Sequence, residues 1–94
     1  MGELSDTVWQ LYLLECRDGS FYTGITNRLQ ERIEAHNDGK GAKYTRGRGP
    51  VKLLYSVECE NQSEALKKEF LVKKLSKKKK IHFFIHHSTS TIHD

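Results

Sequence analysis

The chain has 94 residues, of which 36% are hydrophobic and 30% are charged, and its formal net charge is +4. This length supports one domain with one modest core, and the composition is typical of a folded domain rather than a disordered chain. No basic-then-apolar segment opens the sequence, and no apolar run approaches the ~20 residues of a membrane span. We therefore expect a cytoplasmic protein without a membrane partner.

The positive charge is concentrated in two blocks. Residues 38–55 contain five Lys or Arg and one acidic residue, and residues 71–80 contain six basic residues and no acidic one. Such blocks suit the phosphate backbone of a nucleic acid, whose binding releases counterions. Two solvated surface stretches without any partner are the alternative interpretation.

Two strands are predicted at the start of the chain, at residues 8–16 and 20–26. Both are rich in aromatic, β-branched and Leu side chains, and Asp18-Gly19 between them is a strong hairpin-turn signal. The first strand is apolar on both faces, with Tyr12 on one face and Leu11 and Leu13 on the other. This pattern favours a central strand that is covered by helices on both sides.

A helix is predicted next, followed by a long loop. Asn27 is a suitable N-cap, with Gln30 at the capping-box position, and the helix should end near residues 37–39. Residues 38–50 contain four of the seven glycines and the only proline. This composition predicts an irregular basic loop, and loops of such length are usually functional or mobile.

The second half predicts a strand and two helices. Residues 51–59 form the strand, Asn61 or Ser63 caps a helix that continues to about Lys74, and Ser76 caps a third helix. The order β-β-α-β-α-α predicts an α+β fold with a small three-stranded antiparallel sheet flanked by helices. We expect a single domain over residues 8–85, with flexible tails at residues 1–7 and 86–94.

Two residue pairs are the first candidates for a functional site. Tyr12 and Tyr22 lie on one face of the hairpin if paired positions sum to an even number, which an odd-length loop gives. Arg32 and His36 are four residues apart and so share a helix face. An Arg can bind phosphate oxygens and a His can transfer protons. Ordinary strand packing and a solvated helix face are the alternatives.

Glu69 is the third candidate. The apolar positions Ala65, Leu66, Phe70 and Val72 predict a broad buried stripe on the second long helix, and Glu69 falls inside it. A buried carboxylate is costly unless it is paired or binds a metal. A structural ion pair with Lys73 is the alternative, although a pair alone does not explain why the acid faces the core.

Three segments in order carry a family resemblance: LYLLECRDGSFYTGIT, LQERIEAHNDGKGAKYTRGRGPVKLLY and SEALKKEFLVKKLSKKKK. From Val8 to Lys80 the chain resembles the GIY-YIG nuclease family, and more narrowly the small single-domain bacterial proteins of the UPF0213 group. The family motifs Gly-Ile-Tyr and Tyr-Ile-Gly stand here as residues 10–12 and 22–24, with Gln10 in place of the first glycine.

The resemblance implies a set of site residues. It assigns catalytic roles to Tyr12, Tyr22, Arg32 and His36. It assigns metal binding to Glu69 and a structural role to Gly24. One Mg²⁺ or Mn²⁺ ion would be held by the carboxylate, and the arginine would stabilise charge on the phosphate. Tyr12 is the favoured general base, and the sequence leaves open whether His36 shares that work.

The implied activity is metal-dependent hydrolysis of nucleic-acid phosphodiesters by an endonuclease, with structure-selected DNA rather than RNA as the expected target. Basic residues of the two blocks are expected to hold the backbone without reading sequence. These residues are Lys40, Lys43, Arg46, Arg48, Lys77 and Lys78. A non-catalytic nucleic-acid-binding or protein-interaction module on the same scaffold is the alternative, and the sequence leaves the biological substrate and the oligomeric state open.

Overall fold

The computed structural model describes residues 8–88, and its elements follow the predicted order β-β-α-β-α-α. The elements are β1 (Trp9–Glu15), β2 (Phe21–Thr26), α1 (Leu29–Asn37), β3 (Lys52–Cys59), α2 (Gln62–Lys73) and α3 (Lys77–Ser88). Helix α3 continues past the predicted domain boundary at residue 85. The predicted tails covered residues 1–7 and 86–94, of which residues 86–88 belong to α3. Residues 1–7 and 89–94 lie outside the described residues. None of the helices in the described range is long and apolar enough to cross a membrane.

Strand β1 is the central strand of an antiparallel sheet with the order β2-β1-β3, as its two apolar faces predicted. Leu11 and Leu13 belong to a core cluster that includes Val72 of α2 and Phe84 of α3. Tyr12 belongs to a second cluster on the opposite face, where α1 packs. The sheet therefore separates two cores, and the predicted functional residues of β1 and β2 lie on the α1 side.

The β1–β2 turn sets the register of the hairpin. The Asp18 carboxylate accepts hydrogen bonds from the backbone N–H and the hydroxyl of Ser20, and Gly19 has a φ of 87°, which favours glycine. Tyr12 consequently pairs with Gly24, so that paired positions have an even sum. This register places Tyr12 and Tyr22 on the same face of the sheet, as predicted.

Helix α2 begins at the predicted cap, but its buried face differs from the prediction. The Asn61 side chain accepts a hydrogen bond from the Glu64 N–H at 2.9 Å. Ala65 and Val72 are fully buried, whereas Leu66 and Phe70 are exposed, Phe70 to 62%. The buried face is centred on Ala65 and Val72, and the exposed side chains lie about 100° or more from Ala65 around the helix. The predicted inclusion of these two apolar residues in the stripe was wrong.

The predicted start of α1 was also wrong. Asn27 was expected to cap the helix, but α1 starts at Leu29 with Arg28 in the N-cap position and no side-chain cap. The backbone N–H of Arg28 instead donates to the hydroxyl of Thr26 at 3.0 Å. Since β2 ends at Thr26, the Thr26 hydroxyl stabilises the turn between β2 and α1, and Asn27 lies in that turn before the helix begins.

Replacing each of the two asparagines by alanine tests this difference. Asn61→Ala should lower the free energy of unfolding by about 1 kcal/mol, because the Glu64 N–H loses its cap. Asn27→Ala should change it by less than ~0.5 kcal/mol, as an ordinary surface substitution does. Urea unfolding of the two variants measures both values, and equal losses would contradict the assignment of the caps.

Candidate active site

Tyr12 of β1 and His36 of α1 are in direct contact. The Tyr12 hydroxyl and His36 Nε2 are 2.9 Å apart, and both residues are about 1% exposed. Arg32 lies one turn earlier on α1, and its hydrogen bonding and its positive charge both act to lower the pKa of Tyr12. The shared helix face predicted for Arg32 and His36 is therefore the face that meets the central strand.

Thr45 fixes the orientation of the His36 ring. His36 Nδ1 lies 2.8 Å from Thr45 Oγ1, and the Thr45 hydroxyl donates its hydrogen to the backbone carbonyl of Ala42 at 3.1 Å. Since a hydroxyl has one hydrogen, Thr45 must accept from His36 Nδ1–H. A neutral His36 then has an unprotonated Nε2, which accepts the hydrogen of the Tyr12 hydroxyl. The result is a directed chain from Tyr12 through His36 and Thr45 to the loop backbone.

Burial keeps both members of the Tyr12–His36 pair neutral. Burial, opposed by the hydrogen bond and charge of Arg32, raises the pKa of Tyr12 to about 12. Burial, together with the positive charge of Arg32, lowers the pKa of His36 to about 4. At neutral pH the phenol is therefore protonated and the imidazole is uncharged, which is the state that the hydrogen-bond chain requires.

Two glycines make room for this pair. A Cβ at Gly24 would lie 2.5 Å from the Tyr12 hydroxyl oxygen, and one at Gly41 would lie 2.5 Å from His36 Nδ1. Both contacts are too short for any side chain. Gly24 therefore has no room for a side chain, because the Tyr12 ring lies across it.

Tyr22 and Glu69 complete the group. The Tyr22 ring lies 6.4 Å from the Tyr12 ring and 5.1 Å from the His36 ring, between centroids. Glu69 has a side chain that is only 18% exposed and forms an ion pair with Lys73 at 3.3 Å. The negative charge of Glu69 also contributes to the raised pKa of Tyr12. His36 thus bonds to the Tyr12 hydroxyl, and Arg32, Tyr22 and Glu69 are close enough to change the pKa of Tyr12.

The donor set suits one hard divalent ion rather than a multi-ligand zinc site. Within residues 8–88, no three His, Cys, Asp or Glu side chains are grouped closely enough to hold a metal together. Mg²⁺ commonly takes one or two carboxylates and completes its shell with waters and substrate phosphates. Glu69, half-buried on the rim of the group, fits that pattern, and a bound ion would have to compete with Lys73 for the carboxylate.

The basic residues divide into two groups. Arg48 pairs with Asp18 at 2.6 Å, and the Lys77 ammonium donates to the Gly19 carbonyl at 2.6 Å, so both side chains hold the hairpin turn. The other residues predicted to contact nucleic acid are exposed. These are Lys40, Lys43, Arg46 and Lys78. Their side chains are available for a polyanion, whereas Arg48 and Lys77 already have structural partners.

Thr45, Gly41 and Tyr44 are site residues that the sequence did not indicate. Thr45 is fully buried against His36, and the Tyr44 ring stacks on Tyr22 at 6.0 Å with 23° between the planes. All three lie in the basic loop, where polar and glycine residues looked like ordinary loop composition. Only the folding of this loop over α1 gives them a role, and no local spacing signals it.

The chain belongs to the GIY-YIG family, a family of nuclease type: the model of the GIY-YIG catalytic domain matches residues 8–82. The chain is also similar to proteins of the UPF0213 group, as its motifs predicted. UPF0213 protein CPE1444 of Clostridium perfringens is 56% identical over 71 residues, which cover 76% of each chain. UPF0213 protein YazA of Bacillus subtilis is 48% identical over 69 residues, 73% of this chain and 70% of that one.

Two solved structures have the same fold. The solution NMR structure of EF2693 from E. faecalis has a TM-score of 0.58 and 41% identity, and the match covers 85% of this chain and 86% of that one. The solution NMR structure of UPF0213 protein BH0048 from Bacillus halodurans has a TM-score of 0.51 and 47% identity, with 81% of each chain covered. The three-stranded sheet with its helices is thus shared with these proteins.

Alanine substitutions at two glycines of the same loop test the packing around His36. Gly41→Ala places a Cβ 2.5 Å from the His36 ring and 2.8 Å from its Cα, and should lower the free energy of unfolding by about 1–3 kcal/mol. Gly49→Ala meets nothing closer than 3.7 Å and should change it by less than ~0.5 kcal/mol. Urea unfolding measures both variants, and a stable Gly41→Ala would mean that His36 is not enclosed in this way.

Acidification tests the buried neutral state of His36. An unfolded histidine takes up a proton near its ordinary pKa of 6.5, but folded His36 does so only near 4, so stability falls as the pH drops through this window. From about pH 8 to about pH 5 the loss from this residue should be ~2 kcal/mol. Denaturant unfolding at both pH values measures it. The loss should largely disappear in His36→Gln and persist in His82→Gln on the exposed face of α3.

Direct titration gives an independent check of the same residue. An NMR titration of the His36 ring should find no protonation above about pH 5 while the protein stays folded. A midpoint near 6.5 would contradict the buried neutral imidazole and, with it, the direction of the hydrogen-bond chain.

Proposed function

We propose that this protein is a divalent-metal-dependent endonuclease that hydrolyses phosphodiesters in DNA of selected structure. The observation that supports the proposal is the environment of the Tyr12 hydroxyl, which interacts with Arg32, His36, Tyr22 and the charge of Glu69. These residues offer a carboxylate for a metal ion, a cation for phosphate charge and groups that can move a proton. Metal-assisted hydrolysis of a phosphodiester uses all three.

Arg32 and Glu69 have the electrostatic roles in this proposal. Arg32 binds a non-bridging oxygen of the scissile phosphate and stabilises the charge that develops there during in-line attack by water. Glu69 holds one Mg²⁺ or Mn²⁺ ion. When bound, such an ion supplies positive charge to phosphate oxygens and lowers the pKa of coordinated water. Tyr22 orients the water or the phosphate beside Tyr12.

Tyr12 and His36 act together on the proton. The Tyr12 hydrogen is directed at His36 Nε2, which leaves the phenol oxygen free to accept a hydrogen bond from Arg32 and from a water. A phenol with a pKa of about 12 is a poor base precursor at neutral pH, and His36 with a pKa of about 4 is a weak final acceptor. Positive charge near the phenol favours its deprotonation. Tyr12 therefore accepts a proton from water only as the Tyr12 hydroxyl proton moves to His36 Nε2. The two residues then act as one proton relay, rather than either of them alone as the general base.

Exposed basic side chains hold the nucleic-acid backbone in this proposal. Lys40, Lys43 and Arg46 in the loop and Lys78 on α3 are exposed in the two basic blocks. Contacts of this type position a strand without reading its sequence and weaken as salt increases. Selection among DNA structures then depends on how a strand reaches Tyr12, rather than on base readout.

Substitutions that remove the charge test the proposed metal and phosphate residues. Glu69→Gln should abolish cleavage of a panel of branched, nicked and single-stranded DNA in Mg²⁺ or Mn²⁺, because the ion loses its carboxylate. Arg32→Gln should lower the rate by about 10²–10³-fold, the usual cost of removing one charge-stabilising donor. Glu60→Gln, an exposed acid before α2, is the matched control and should cleave as the unsubstituted protein does.

Metal binding is measured separately by paramagnetic line broadening in NMR spectra with Mn²⁺. Broadening should centre on Glu69, disappear in Glu69→Gln and remain in Glu60→Gln. If the unsubstituted protein is folded and gives neither broadening at Glu69 nor cleavage, the endonuclease proposal is wrong.

A non-catalytic nucleic-acid-binding module is the second candidate. One observation favours it: the Glu69 carboxylate already has an ion-pair partner in Lys73 at 3.3 Å, so its position also has a purely structural explanation. Under this alternative, salt-dependent DNA binding persists while no DNA on the panel is cut. Glu69→Gln would then leave DNA affinity unchanged and lower stability by only a few tenths of a kcal/mol, ~0.3–0.5 for such a pair.

A further inference from the structure

A second concave site lies beside the candidate active site, at the edge of the sheet. It has a volume of about 340 Å³ and is called the β2 pocket here. Its lining residues are Phe21, Tyr22, Thr23, Tyr44, Lys73 and Lys80. Sites for small ligands range from ~300 to 1,000 Å³, so this pocket has room for a group about the size of one nucleotide and not for a duplex. Tyr22 lines the pocket and also contacts the Tyr12–His36 pair.

Thr23 gives the pocket an unused polar group. The residue is 2% exposed, and among residues 8–88 its Oγ1 has no hydrogen-bond partner. A buried hydroxyl without a partner is unfavourable, and native structures rarely keep one without a reason. The Oγ1 atom has less than 1 Å² of accessible surface, so a polar ligand in the pocket would satisfy it only after the Thr23 side chain turns or its neighbours move aside.

Two ammonium groups line the same pocket. Lys73 is paired with Glu69, but Lys80 has no carboxylate partner in the described part of the chain. Burial, together with the charge of Lys73, lowers the pKa of Lys80, which means that its charged form is poorly compensated. An anion placed between the two lysines would stabilise both. A terminal phosphate carries a charge of about −1.5 to −2 near neutral pH and matches two cations, whereas an internal phosphodiester carries one charge.

Aromatic rings line the rest of the β2 pocket. The Tyr44 side chain is 42% exposed, although it stacks on Tyr22 and the Arg48 guanidinium lies over its ring, 4.4 Å from the ring centre. Exposed aromatic rings next to cations bind nucleobases by stacking in a way that tolerates any base. A nucleoside attached to the phosphate would therefore contact Tyr44, which inorganic phosphate cannot do.

We propose that the β2 pocket binds the phosphorylated end of a nucleic-acid strand, with the phosphate monoester at Lys73, Lys80 and the Thr23 hydroxyl and the terminal base against Tyr44. The effect of this binding on cleavage rests on the proposed function. Because Tyr22 is common to both sites, a bound strand end brings the adjoining phosphodiesters to Tyr12. The pocket would then direct incision to DNA ends and nicks that carry a phosphate.

Binding without metal tests the inference apart from cleavage. In EDTA, short single-stranded oligonucleotides with a 5′-phosphate, a 3′-phosphate or no terminal phosphate are titrated, and inorganic phosphate is titrated separately. One phosphorylated form should bind about tenfold more tightly than the unphosphorylated strand, the gain expected from one charge-assisted contact. NMR shift changes should centre on residues 21–24 and Lys80, and comparison of the two phosphorylated forms identifies the end that is held.

Conservative variants test whether the preference for phosphorylated strands depends on the β2 pocket. Thr23→Val and Lys80→Gln should each reduce the preference for the phosphorylated strand to less than about threefold. Lys67→Gln, which removes an exposed charge on α2 outside the pocket, should keep the preference. NMR spectra of each variant establish that it is folded.

Three results would overturn the inference: equal binding of phosphorylated and unphosphorylated strands, a preference that survives both pocket variants, or inorganic phosphate binding as tightly as the strand. The outcome is independent of the proposed activity. A protein that cuts nothing but prefers phosphorylated ends keeps this inference and loses the endonuclease proposal, and one that cuts without regard to end phosphates does the reverse.

Discussion

The hydrogen-bond chain from Tyr12 through His36 to Thr45 joins the central strand, α1 and the loop before β3. Each link is buried, so an unpaired member would leave a polar group without water or partner, which is unfavourable. The chain therefore fixes the loop over α1 and the Tyr12 hydroxyl against Arg32 at the same time. Gly24 and Gly41 follow from it, because the rings occupy the space where their side chains would be. In the proposed mechanism, such a rigid group would hold the reacting atoms in place without an entropy cost at each turnover.

The hairpin turn is the second organising point, because both basic blocks meet there. Arg48 from the loop pairs with Asp18, and Lys77 from α3 donates to the Gly19 carbonyl while lying 4.5 Å from the centre of the Phe21 ring. These contacts bring two charge blocks that are distant in sequence to one side of the molecule. Some cations thus support the fold, and two others, Lys73 and Lys80, line the β2 pocket.

The position of Glu69 on α2 has two explanations, one structural and one chemical. Its ion pair with Lys73 explains how a carboxylate is tolerated on the buried side of α2. Its charge acting on Tyr12 explains why that side matters for chemistry. Lys73 connects the two, since it also lies 6.0 Å from the centre of the Tyr22 ring and lines the β2 pocket. Under both proposals, a ligand in one site would change the electrostatic environment of the other.

Local pattern by itself determined the order of the elements, the central position of β1 and the face shared by Tyr12 and Tyr22, because strand alternation and an Asp-Gly turn act over a few residues. Helical spacing likewise placed Arg32 and His36 together. The start of α1, the buried side of α2 and the roles of Thr45 and Gly41 needed the tertiary structure. Those features depend on which distant segment packs against each residue: Tyr12 meets His36 across 24 positions, and Lys77 meets Gly19 across 58. No short-range pattern encodes such pairings. The same holds for the β2 pocket, which is formed by β2, the loop before β3, α2 and α3.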